Sequence, residues 1–492
     1  MKNKILLLLL IFPFTIQAQS NSLLNAEFWK STPSIEGVKE EISKGNDPSE
    51  ANRANYDVVS LAILNDANLE LIQFLLEQKG NDVDKLTHDG RTYLHWAAIN
   101  GNDKLVNYLI SKGWTADLKD DKGATPLVFG AANGKVNIEV YKAFFQAGIE
   151  PQKKYQNGAN ILLLAIPNDT NFELTEYLNT KGLSINDQDD HGNTAFDYAA
   201  RAGNVNHLQE ILQKGVKPTS TALIFAAQGP RRSANTIEVY QYLIDDLKMN
   251  PSSTAPNGET ALHYIARKPN QKEIIQYFLE KGVDVNQADK NGNNIFMAAA
   301  NSKDLDVIQL LLPKVIDINT ANSKGETALV EAFKSSSAEV VQFLIDNGAQ
   351  IDVQTESGNL AFYLINSYRG QGPFNNVEDF SKKLEILKEQ KFDLKAAQQD
   401  GNTIYHLAVA KNDLSLIKKL EGIDANINAT NQEEMTALHK AALLAKDANI
   451  LQYLIEKGAD KNILTEFEET AYDLASENES LIENNISIQF LK

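Results

Sequence analysis

A unit of about 33 residues, copied along most of the chain, limits what this sequence can fold into more than any other feature. A turn glycine recurs at Gly90, Gly123, Gly158, Gly192, Gly258, Gly292, Gly325, Gly358 and Gly401. Its spacing is 33 to 35 residues over the first four, and the double gap from Gly192 to Gly258 marks a copy that has lost its glycine. The clearest copy runs from Pro256 to Asp289, PNGETALHYIARKPNQKEIIQYFLEKGVDVNQAD. Its tetrad Thr260-Ala261-Leu262-His263 predicts the start of one short helix, and Glu273 to Glu280 predicts a second that Gly282 ends. A pair of short helices cannot bury its own apolar face, so its stability must come from stacking against neighbouring copies.

Position by position the residues suit that design. The tetrad threonine can cap free backbone N–H groups at the helix start, and Pro126 occupies a first-turn position where its missing N–H costs nothing. Small residues follow, such as Ala97-Ala98, Ala199-Ala200 and Ala441-Ala442, and permit close approach of the next helix. The second helix carries apolar residues at helical spacing, as in Val340, Val341, Phe343, Leu344 and Ile345, then stops at a glycine. These stops fall at Gly80, Gly113, Gly148, Gly182, Gly215, Gly282, Gly348 and Gly458. The expected fold is an all-α solenoid of about 13 stacked helix pairs with degenerate terminal copies.

The tetrads Thr92-Tyr93-Leu94-His95, Thr125-Pro126-Leu127-Val128, Thr260-Ala261-Leu262-His263, Thr403-Ile404-Tyr405-His406 and Thr436-Ala437-Leu438-His439 give the period a recognisable form. The pattern resembles the ankyrin repeat, whose signature is T-P-L-H-x-A. The resemblance implies that Thr92, His95, Thr125, Thr194, Thr260, His263, Thr403, His406, Thr436 and His439 are structural, with the histidines bonding between copies. It also implies recognition of another protein along a concave groove of turn tips and first helices. Carried onto this chain, the tips include His88, Arg91, Lys122, Tyr155, His191, Asn193, Lys290 and Asn293, and the first helices include Asn100, Asn133, Arg201, Arg267 and Lys268. Several of these are basic, so the groove is expected to be less negative than the back.

Residues 1–18 read as an export signal: Lys2 and Lys4, then an apolar run from Ile5 to Ile16, then Ala18 as a small residue at a cleavage point. The run is short of the roughly 20 residues a spanning helix needs. A mature chain in the periplasm or secreted is the corresponding expectation, soluble and without membrane insertion after signal cleavage. Residues 19–54 read as a degenerate N-terminal capping copy, 55–465 as the main array and 466–492 as a truncated C-terminal capping copy. Asn160-Ile161-Leu162-Leu163 lacks both Thr and His, which puts the capping and inter-copy bonds of that copy in doubt. Thr221 to Ser252 is the copy without a turn glycine, and Gly229-Pro230-Arg231-Arg232 is a small basic insertion within it. The copy at 358–400 is expanded, with its surplus near Asn366 to Phe380; this is either a tolerated insertion or a contact element.

Composition narrows the function classes. With 47 Lys and Arg against 65 Asp and Glu, the net charge is −18, or −20 without Lys2 and Lys4, which disfavours nucleic acid and anionic lipid as partners. The absence of cysteine removes disulfides, thiolate metal sites and thiol catalysis. Of seven histidines, four sit in tetrads, and His88 and His191 are too far apart along the array to share a metal. No phosphate loop, zinc motif or nucleophile elbow appears. The expected function is therefore a non-enzymatic scaffold, monomeric, without metal or cofactor, that binds another protein. The alternative is a small-ligand binder for glycans or peptides, using the loop at 366–380 and the aromatic series Trp96, Phe129, Tyr198, Phe225 and Tyr264, which core packing also explains.

Overall fold

Each copy folds as an inner helix, a tight turn, an outer helix and an extended finger that leads to the next copy. The computed structural model describes residues 21–83, 85–230, 234–370 and 375–492. The leader at 1–18 and the pair Arg231-Arg232 lie outside the described residues. The described residues form two compact units, Met1–Thr219 and Ser220–Lys492 as bounded by their internal contacts.

In the first unit the pairs are Ala26–Lys30 with Ile35–Ser43, Val58–Leu64 with Leu69–Leu76, Tyr93–Ile99 with Asp103–Ser111, Pro126–Asn133 with Ile138–Gln146, Ile161–Ala165 with Glu173–Asn179, and Ala195–Ala200 with Val205–Gln213. In the second they are Ala222–Gln228 with Ile237–Gln241, Ala261–Ala266 with Lys272–Glu280, Ile295–Ala300 with Leu305–Leu311, Ala328–Ser335 with Ala338–Asp346, Leu360–Ser367 with Val377–Glu389, Ile404–Val409 with Leu414–Lys419, Ala437–Leu444 with Asn449–Glu456, and Ala471–Glu477 with Glu479–Glu483. These fourteen pairs exceed the expected thirteen or so, because the last copy supplies a short pair of its own. The fold is all-α, and the extended segments of the described residues make isolated bridges only, such as Thr87 with Arg91 and Thr254 with Thr260.

Inner helices pack against inner helices of adjacent copies, and outer against outer. Small side chains set the inner distance: a Cβ at Gly130 would lie 3.0 Å from the backbone of Ala98 in the previous inner helix. The core is the row of fully buried residues between the two layers, among them Leu94, Leu105, Leu109, Phe144, Leu262, Ile275, Phe278, Leu329 and Leu344.

The starts of several inner helices are tied forward to the next finger. The threonines at 92, 260, 403 and 436 donate their backbone N–H to Nδ1 of His95, His263, His406 and His439 at 3.0–3.2 Å. Because Nδ1 accepts, the proton sits on Nε2, which bonds the carbonyls of Ala124, Asn293, Met435 and Ile463 in the following fingers. Thr125 caps its own helix through Val128 N–H. At Thr194 the fourth residue is Asp197, fully buried, and the polarity reverses: its carboxylate accepts from Thr194 N–H at 2.8 Å and from Thr219 N–H at 2.8 Å.

The irregular copies keep this arrangement by other means. Asn160 caps its helix through Leu163 N–H at 3.0 Å and reaches forward to Asp187 at 2.7 Å, so the missing Thr and His leave neither task undone. Thr221 has helical backbone angles (φ −82, ψ −10) rather than the extended ones of a capping threonine. Its copy also carries a π-turn at Tyr242–Asp246.

The ends of several inner helices are bonded by side chains of the following copy. Asn100 donates to Ile63 O, Asn168 to Ala131 O, His207 to Ile166 O, Lys268 to Gln228 O, Lys383 to Phe333 O, Lys411 to Asn366 O and Asn478 to Ala442 O. Each satisfies a helix-terminal carbonyl of the preceding copy, where a donor or a cation is favoured.

Burial holds the tetrad histidines neutral, and for His95 it pushes the imidazole down to about 4. The unfolded value near 6.5 is higher, so the unfolded chain takes up protons first. The stabilisation is therefore fully present above about pH 6.5 and is lost as pH falls toward 4. For the fully buried His95 it amounts to roughly 3 kcal/mol. The urea midpoint should fall as pH drops through this window, and His95→Gln, which cannot take the proton, should flatten part of that fall. A midpoint constant from pH 7 to pH 4 would show that the imidazoles are not held neutral.

Candidate protein-binding groove

Successive fingers are bonded edge to edge by backbone. Asp121 N–H donates to Asp89 O at 2.9 Å and Asp190 N–H to Asn157 O at 2.9 Å in the first unit. In the second, Lys290 donates to Asn257 O at 2.9 Å, Ser323 to Asn291 O at 2.8 Å and Gln432 to Asp400 O at 3.0 Å. The finger glycine makes this approach possible: Gly258 has φ +88, and a Cβ there would lie 2.9 Å from Lys290 N. Between the fingers and the inner helices the side chains enclose pockets, and three of them occupy the same register in different copies.

The first pocket, of about 600 Å³ in the first unit, is lined by Lys119, Lys122, Lys153, Lys154 and Tyr155 over Val128 and Leu164. Asp117 lines the pocket beside the four lysines, 4.0 Å from Lys153, and Lys154 reaches Asp190 at 3.4 Å. The second pocket, of about 340 Å³, is rich in amides: Asn291, Asn293, Asn301 and Asn322, with Lys324 and Arg267 at its margins. Its amides are ordered by one another, Asn322 donating to Asn293 at 2.8 Å and Asn301 to Glu331 at 2.9 Å. The third, of about 290 Å³, is lined by Met435, Leu443, Phe467 and Leu474 with Glu433, Glu466 and Glu469. Counted from the helix-start residue, Tyr155, Asn322 and Thr465 are equivalent, and so are Leu164, Glu331 and Leu474.

The structure brings some of the expected groove residues to these pockets and withdraws others. Lys122 and Tyr155 line the first; Asn293 and Arg267 line the second, Arg267 being paired with Glu259. Lys290 and His191 are exposed at finger tips. His88 is half-buried, stacked 4.4 Å from Tyr56 and bonded to Ala54 O at 2.8 Å. Arg91 is a correction: at 3% exposure it pairs with buried Asp120 at 2.9 Å and lies 4.2 Å over the Phe129 ring, so it braces the finger from within. Asn193 is likewise buried and donates to Asp189 at 2.7 Å. Asn100 and Lys268 serve as the backward ties described above, Asn133 bonds its own helix at Phe129 O, and Arg201 is half-buried. Lys119, Lys153, Lys154, Met435, Leu443 and Phe467 were missed. Aligning every copy on its helix-start residue groups Met435, Leu443 and Phe467 with Asn293, Asn301 and Lys324, whereas Lys119, Lys153 and Lys154 have no counterpart in the other two pockets.

The aromatic series does not form a ligand-facing stripe. Trp96, Phe129 and Tyr198 are buried, Trp96 donates its indole N–H to Thr87 at 2.7 Å, and Phe225 and Tyr264 are half-buried. In the stretch from 366 to 380, Tyr368 and Phe380 pack edge to face at 5.1 Å inside the protein, while residues 371–374 lie outside the described residues. Among the described residues no cluster of three His, Asp or Glu side chains is placed to hold a metal, and no helix is long and apolar enough to cross a membrane.

Comparison with known proteins agrees with this architecture. A family model described as ankyrin repeats (3 copies) matches residues 59–155, 131–222, 218–289 and 285–355, and a second, ankyrin repeats (many copies), matches 420–475. A putative ankyrin repeat protein of Borreliella burgdorferi is 37% identical over 89 residues, covering 18% of this chain and 21% of that one. A palmitoyltransferase of Lachancea kluyveri is 27% identical over 212 residues, covering 42% of this chain and 24% of that one. The chain thus spans about a quarter or less of the length of these relatives. The human ASB11 ankyrin repeat domain aligns over 45% of this chain and 95% of its own, at 20% identity and a TM-score of 0.39. With the family's repeats matched over most of its length, the chain belongs to the ankyrin repeat family.

Proposed function

We propose that this chain is an exported, non-enzymatic scaffold that binds another protein through the groove between its fingers and inner helices. One observation carries the reading: a pocket between fingers and inner helix recurs in several copies, sharing lining positions such as that of Lys122, Asn291 and Glu433, but lined by lysines, by amides or by apolar side chains. A constant frame with changing contents is what recognition of an extended, irregular partner surface requires. A groove preformed by the finger bonds loses little freedom on binding, and a few well-enclosed side chains then carry most of the affinity. The net charge of −18 favours a protein over nucleic acid or anionic lipid. The scaffold works as a monomer and needs no cofactor or metal.

The leader directs it to the periplasm or to the outside of the cell. Fractionation of the native host should then place the protein outside the cytoplasm with a mature N-terminus at Gln19. A cytoplasmic protein retaining Met1 or Lys2 refutes export.

Photocrosslinking in the native compartment tests the groove. A photoreactive residue placed at exposed Lys122, Asn291 or Lys324 should give the same discrete adduct. One placed at exposed Glu139 or Glu339, on the outer helices, should give little. Adducts from the outer helices alone would move recognition to the back of the protein.

A further inference from the structure

The third pocket differs from its counterparts in being both apolar and open. Where the amide pocket has Asn293, Asn301, Lys324 and Glu331, the equivalent positions here are Met435, Leu443, Phe467 and Leu474. Phe467 is 74% exposed and Leu443 48% exposed. Two large apolar side chains therefore stand in water at places where another copy of the same fold keeps polar ones. Apolar surface gathered at one concavity and rimmed by polar groups marks a docking site.

The rim has one sign. Glu433, Glu466 and Glu469 line the pocket, and the ion pairs of the described residues include none of them. Glu434 and Glu468 stand beside it in left-handed backbone, φ +53 and +61, at the finger position that Gly258, Gly292 and Gly325 fill elsewhere. A side chain in that conformation is strained, yet each of these fingers adds a carboxylate there instead of the permissive glycine. The pocket's volume suits a single large side chain rather than a helix. The field of the whole chain, at −18, has the same sign as the rim and steers cations toward it.

We propose that this pocket docks a basic segment of the protein partner. One aliphatic or aromatic side chain of that segment packs between Leu443 and Phe467, and flanking lysines or arginines face Glu433, Glu466 and Glu469. The inference rests on the groove being the recognition surface and assigns the chemistry of one part of it. The apolar side chain supplies the affinity and the carboxylates the choice of partner, since rim charges act mainly on encounter and selectivity.

The test uses the full mature chain and two labelled peptides of about a dozen residues, each with a central Leu-Phe pair, one flanked by lysines and the other by glutamates. The variant is Phe467→Lys with Leu443→Asn, the residues found at the equivalent positions of the amide copy, so the same backbone is known to hold them. Circular dichroism and thermal melting check that it folds. The lysine peptide should bind the native chain, weaken about tenfold or more on the variant, and weaken as salt is raised to roughly 0.5 M; the glutamate peptide should not bind. Retention of lysine-peptide binding within about twofold on the variant would mean attraction to the acidic surface at large and would overturn the proposal. So would equal binding of the glutamate peptide, or self-association of the native chain that the variant abolishes, which would make a second copy the occupant. Crosslinking at Lys122 and Asn291 is read separately: if it persists while the peptide experiment fails, this assignment falls and the groove reading stands.

Discussion

Inner helices are bonded at their ends by the copy ahead, and the rest of the structure depends on that. A helix of five to eight residues leaves most of its backbone groups without intrahelical partners, and in isolation it would not form. Here the tetrad side chain at the start bonds the finger ahead, as His263 does with Asn293 O. An amide, imidazole or ammonium from the copy ahead bonds the carbonyls at the end, as Asn100 does with Ile63 O. Removing a neighbour therefore exposes helix ends as well as apolar surface, which is why one copy has no independent existence.

The same bonds divide the protein into a frame and a set of free positions. Backbone bonds between fingers, and the buried Arg91–Asp120 pair behind one of them, hold the tips in place without using the side chains that face the groove. Those side chains are then free to differ from copy to copy. Lys122, Asn291 and Glu433 share one register position and give three different local charges. Electrostatic character is thereby set pocket by pocket, against a background field that is negative throughout.

Most of the frame was legible in the sequence because it repeats: a glycine needed for positive φ and for close finger contact, a capping threonine, and a histidine three residues on all recur at one period. The site was less legible, because polarity alone does not separate a side chain that meets a partner from one that bonds the neighbouring copy. Arg91, Asn100, Asn193 and Lys268 look like groove residues by type and position, yet each is engaged within the protein. Only the folded structure distinguishes them from exposed Lys122, and Asn293 too is bonded within the protein, to Asp289 and Asn322. The converse holds for Asn160, whose copy looked defective until one side chain proved to make both the cap and the forward contact. Asp197 shows that the forward tie constrains geometry more than residue type: a carboxylate serves where the next finger offers an N–H, an imidazole where it offers a carbonyl.

The expanded copy shows how far the scheme bends. In copies such as those of Lys268 and Lys411, the residue that ties back to the preceding inner helix follows directly after that copy's own inner helix. In the expanded copy this stretch runs into the inserted segment after Ser367. A tie comes from Lys383 on the outer helix Val377–Glu389, at 13 residues the longest of the described helices. Its Nζ donates to Ala332 O at 2.9 Å and Phe333 O at 3.2 Å. Burial pushes this ammonium down to about 8, so it remains largely charged at neutral pH, and the negative end of the helix it caps favours that charge. A cationic side chain thus reaches from the outer layer to make the tie, as His207 on the outer helix Val205–Gln213 does in a copy without an insertion. The insertion between the helices is compatible with the array, because the outer helix still bonds the preceding inner helix and Tyr368 and Phe380 pack inward against each other.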